Sequence, residues 1–199
     1  MNPFQRLWAP SVVVAVVVMV PVATAAESAS SSRIPMDNGV MLHSKLAPEE
    51  VEIIVPQSFV VALPVPGAHY FVSAQVTDEH GLPKVEFRIL DAEGATLQTL
   101  APTETWSSFE GVLAVAFRDM NGDGIPDITV ITSWTTGIGP EGVVPFHAAS
   151  LYLFDSDAGH YVVDTALLKD ALPLYTQSID HISAYIEGTR ITPPKPPAP

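Results

Sequence analysis

Asp119-Met120-Asn121-Gly122-Asp123-Gly124-Ile125-Pro126-Asp127 runs directly into Ile128-Thr129-Val130-Ile131-Thr132. The first segment places side-chain oxygens at loop positions one, three, five and nine around a glycine at six. The second is β-branched throughout and predicts a strand. Pro126 pushes Ile125 toward extended backbone, so the reading is strand, loop, strand, with no helix leaving the loop. Outward from this unit, short β-rich runs separated by turn residues recur at 51–55, 59–63, 70–76, 85–90, 112–117, 151–154, 161–163 and 182–186. Residues 88–97 and 152–161 each read as strand, acidic glycine turn, strand, which is a hairpin. Helix is limited to a short segment near 165–172, stopped by Pro173. The expected fold is mostly β, built from antiparallel sheets.

The alternating loop has a chemistry. Ca²⁺ is a hard cation that takes six to eight oxygens at about 2.3–2.6 Å, and every second residue of such a loop points inward. Asp119, Asn121, Asp123 and Asp127 are the side-chain candidates, and Ile125 is placed to give a backbone carbonyl. Gly124 permits the sharp turn. An EF-hand would close the site with a bidentate Glu at position twelve, where this chain has Val130. The alternative is a polar Asn-Gly/Asp-Gly turn that binds nothing. Crowding three carboxylates without a cation is costly, which favours calcium. Asp155 and Asp157 lack further carboxylates at loop spacing and read as a turn.

Residues 1–25 read as a cleaved secretory signal, with Arg6 as the positive flank, a valine-rich run over 12–20 and Ala23-Thr24-Ala25 as the cleavage site. A membrane anchor is the competing reading, but the apolar run is short of the roughly 20 residues a span needs and Pro21 interrupts it. No cysteine is present, so neither lipid attachment nor a disulfide framework is expected. These features place the mature chain in a periplasm or outside the cell. The chain carries a formal charge of −13, and loss of the signal removes one arginine and no acid. Such acidity disfavours nucleic acid and anionic lipid and favours cations and basic proteins. Residues 26–39 read as a disordered linker, 40–191 as one calcium-binding β domain, and 192–199 as a proline-rich tail that cannot join a sheet.

Asp119-x-Asn121-Gly122-Asp123-Gly124-x-x-Asp127-Ile128 resembles the calcium loop of FG-GAP/VCBS-type repeats. Only one copy is present, so a full propeller of repeated blades is not expected. The loop, the flanking hairpins and the glycine-rich stretch 135–142 together resemble periplasmic immunity proteins that inhibit peptidoglycan-hydrolase effectors of type IV secretion systems. That resemblance covers about residues 70–186 and implies a β-propeller-like fold with bound Ca²⁺. A compact β-sandwich is the other arrangement that fits the strands.

Three functions compete. The first is a calcium-stabilised exported binding protein, an immunity-type inhibitor of a lysozyme-like peptidoglycan hydrolase. The second is a calcium-dependent surface or wall-associated adhesion module. The third, catalysis, has no cysteine nucleophile, no G-x-S-x-G elbow and no H-E-x-x-H signature behind it. The six histidines show no metal spacing. Partner contacts are expected in the loop after the calcium strand, at Trp134, Gly137, Gly139 and Glu141, with core packing of Trp134 as the competing reading.

Overall fold

The computed structural model describes residues 30–33, 42, 51–103, 105–106, 108–139, 142–165 and 178–186. The strands are β1 (Ser31–Arg33), β2 (Val51–Ile53), β3 (Phe59–Val61), β4 (Tyr70–Thr77), β5 (Pro83–Leu90), β6 (Thr96–Leu100), β7 (Ser108–Arg118), β8 (Asp127–Thr135), β9 (Phe146–Asp155) and β10 (His160–Val163). Among the described residues, helix α1 covers Ile179–Ile186.

Alternation divides these strands into a dry and a wetter face. On β5, Val85, Phe87 and Ile89 are buried while Lys84, Glu86 and Arg88 point the other way. The strands form two antiparallel sheets. One runs β1-β3-β4-β5-β6, with β2 also paired to β4; the other runs β10-β9-β8-β7. β2 and β3 share one partner because Pro56, in the 3-10 turn Val55–Gln57, interrupts them. The gap is closed by side chains: the Ser73 N–H donates to Ser58 Oγ at 3.0 Å, and Ser73 Oγ donates to the Gln57 carbonyl at 2.7 Å.

The two sheets face each other across an aromatic core. Phe71, Phe87, Ile89 and Leu100 from one meet Phe117, Ile128, Val130, Trp134, Tyr152 and Tyr161 from the other. Phe117 stands edge-on to Phe71 and Phe59 at 5.4 and 5.6 Å, the geometry that ring quadrupoles favour. The described strands therefore form a sandwich of two sheets, with no closed barrel. A further layer lies outside the four-stranded sheet, where Ile182 of α1 packs with Met120, Ile131, Ala149 and Leu151. As one of the two inner strands of that sheet, β8 has both faces covered, and all nine of its residues are buried.

Side chains stitch the sheets together at both edges of the smaller one. Gln98 of β6 donates to the Tyr161 carbonyl at 2.6 Å and accepts from the Tyr161 N–H at 3.0 Å, on edge strand β10. At the opposite edge, Gln57 donates to the Leu113 carbonyl of β7 at 3.1 Å.

Two expectations are corrected. The run 182–186 lies in α1, not in a strand: Ile179 and Ile182 stand three residues apart on one helical face and pack on the outer layer, and Asp180 suits the first turn. The reading of 26–39 as linker fails at Ser31–Arg33, which pair with Val61–Phe59 through backbone bonds that need no apolar side chain. The expected helix lies outside the described residues beyond Thr165, as do the signal segment and the tail.

Candidate functional site

The acidic loop joins β7 to β8, and short side chains with backbone N–H groups in reach shape it. Asp119 Oδ1 accepts from the Gly122 and Asp123 N–H groups at 2.7 and 3.2 Å, and its Oδ2 accepts from Gly124 at 2.8 Å. Asn121 Oδ1 accepts from the Asp123 N–H at 3.0 Å, and Asp123 Oδ1 accepts from the Ile125 N–H at 2.8 Å. These successive Asx turns curl the chain, with Gly122 and Gly124 both at φ 83°. Asn121 Nδ2 reaches Asp123 Oδ2 at 2.9 Å.

Asp127 differs from the others. Its side chain is buried and ties the loop to two neighbours: Oδ2 accepts from the Met120 N–H at 2.8 Å and Oδ1 from the Phe154 N–H on β9 at 3.1 Å. Burial raises its pKa from 3.8 to about 6, and the negative charges of Asp123 and Asp119 push the same way against those two N–H groups. Next to it, the Tyr161 hydroxyl donates to the Pro126 carbonyl at 2.8 Å. Burial first, and the Asp127 charge second, drive that phenol well above its ordinary pKa.

Met120 carries the loop's position outward. Its side chain is buried in the layer with Ile182, and Ser183 Oγ lies 3.6 Å from its sulfur. Arg118, the last residue of β7, reaches Asp180 of α1 at 2.8 Å. The loop is thus braced by β9, β10 and α1 through Phe154, Tyr161 and Met120, residues that sequence reasoning placed in the 152–161 hairpin and in the loop itself without assigning them this role.

As a donor set, Asp119, Asn121, Asp123 and Asp127 with the Ile125 carbonyl match a hard cation by chemistry, since all are oxygens. Among the described residues, however, no three His, Cys, Asp or Glu side chains are gathered closely enough to hold a metal. The carboxylates instead face loop amides. Asp155 likewise serves its hairpin, its Oδ1 accepting from the Asp157 and Ala158 N–H groups at 2.9 and 3.0 Å.

At the far end of β8 the expected partner-binding residues separate. Trp134 is wholly buried, edge-on to Phe109 at 5.3 Å, with Nε1 donating to Thr132 Oγ1 at 2.7 Å. It is a core residue, and the surface-anchor reading is corrected: alternation along β8 turns it inward with Ile128 and Val130. Gly137 and Gly139 are exposed, at φ 66° and 74°. Glu141 lies outside the described residues.

Compared with protein families, curated proteins and solved structures, the chain matches none. Among the described residues, no helix is long and apolar enough to cross a membrane.

Proposed function

We propose that this chain is an exported, calcium-stabilised binding protein that inhibits a lysozyme-like peptidoglycan hydrolase in the periplasm. The observation that carries the reading is β8, one strand buried along its whole length, with the acidic loop at Asp127 and the glycine-rich loop after Thr135. Ca²⁺ held by Asp119, Asn121, Asp123, Asp127 and the Ile125 carbonyl offsets the repulsion among the carboxylates and fixes the start of the strand. The far loop then loses fewer conformations when a partner docks. The target class comes from the resemblance to immunity proteins, and the chain's acidity suits a basic enzyme, since complementary fields speed encounter and raise specificity.

The test is peptidoglycan hydrolysis by lysozyme-type effectors, with and without the mature protein, in calcium and in chelator. Inhibition that weakens on chelation is expected. If no such enzyme is bound or slowed, the inhibitor reading falls and adhesion takes its place.

A further inference from the structure

At the sheet end remote from the acidic loop, large apolar side chains stand in water. Ile138 is 80% exposed, Val143 78%, Val144 60% and Trp106 41%. They come from two separate stretches of chain. Ser108 pairs with Thr135 and Phe146 with Trp134, so the chain entering β7, leaving β8 and entering β9 meets at this end. Trp106 stands edge-on to Phe146 at 5.0 Å.

The connection is built to present them. The Gly137 N–H donates to the Gly142 carbonyl at 2.9 Å, and the Gly142 N–H donates to the Gly139 carbonyl at 3.1 Å, ties that leave Ile138 exposed. A Cβ at Gly142 would lie 2.3 Å from the Ile138 backbone nitrogen, so only glycine fits this approach. Single exposed aliphatics are ordinary, whereas a cluster on a tied loop marks an interaction surface.

Charge narrows the occupant. Between Ala101 and Gly159 the only Lys or Arg is Arg118, which pairs in register with Asp127 at the opposite end. Glu110 sits beside the cluster, accepting from Thr135 Oγ1 at 3.1 Å and from Ser108 Oγ at 3.5 Å. Among the described residues of that stretch, the surface therefore has an apolar centre, a carboxylate at its rim and no Lys or Arg. A second copy would bring the same acid and a like net negative charge against its equal, the full chain carrying −13.

Resting on the inhibitor reading, we infer that Ile138, Val143, Val144 and Trp106 form one docking surface for a basic protein that presents an apolar side chain ringed by Lys or Arg. Trp106, not Trp134, is its aromatic anchor.

The experiment measures binding of the mature protein to purified lysozyme-type hydrolases with surfaces from acidic to basic. Basic members bind, and raising NaCl from about 50 to about 300 mM weakens them several-fold. Ile138→Asp with Val143→Asp, and separately Trp106→Ala, raise Kd at least about tenfold while the melting temperature holds. Unchanged Kd in both variants overturns the surface and leaves the inhibitor reading standing. Concentration-dependent dimers that the double variant abolishes overturn the basic partner in favour of a second copy. No binding to any basic member at low salt overturns both.

Discussion

Asp127 is the residue on which the loop's chemistry and the fold's stability meet. With its folded pKa near 6 against 3.8, the native state keeps a proton that the unfolded chain has already given up. Its contribution to stability is therefore present below about pH 4 and lost as pH rises through about 6, a difference of roughly 3 kcal/mol. The calcium-free protein is expected to melt higher near pH 5 than near pH 7.5, with Asp127→Asn flattening that slope. Calcium bound as proposed would compete with the proton, so its affinity should fall as pH drops through about 6, which titration calorimetry across pH reads directly. Asp127→Ala should cost more than Asp123→Ala in the metal-free protein. It strands the Met120 and Phe154 N–H groups, at about 1–3 kcal/mol each where they are buried, whereas Asp123 is exposed.

Among the elements, β8 shows what a strand covered on both sides demands. Thr129 Oγ1 is buried with no hydrogen-bond partner among the described residues, so Thr129→Val should stabilise by about 1 kcal/mol, a rise of roughly 2–4 °C in Tm by calorimetry. Trp134→Ala should cost about 3–5 kcal/mol by denaturant titration, because it empties the contact with Phe109. These elements also show how far the sequence could be read. Short β-rich runs located β4 and β5, the β-branched run located β8, and the glycine turns located both hairpins, because strand period and turn chemistry are local properties. The error at 182–186 arose because a short apolar run fits strand and helix alike, and what decided it was the outer layer around Met120. The loop between β7 and β8 was legible as a turn from its Asx and glycine residues. The buried state of Asp127, and the meeting of Trp106 with Phe146, depend on pairings that no local pattern contains.

For the molecule as a whole, a cation that binds only the native state adds about 2.7 kcal/mol at one hundred times its dissociation constant, so chelation should lower Tm by roughly 5–10 °C. Asp123→Ala should remove most of that response, and a thermal scan with and without chelator checks it. The glutamines at the two borders of the four-stranded sheet have a different consequence. β10 and β7 are where another chain could add a strand, since an edge offers unpaired N–H and C=O groups as a template. Gln98 occupies both backbone groups of Tyr161, and Gln57 occupies the Leu113 carbonyl. Each amide behaves as a single rung of a neighbouring strand and ends the ladder there. Two plugged borders would keep the folded chain from growing into fibrils.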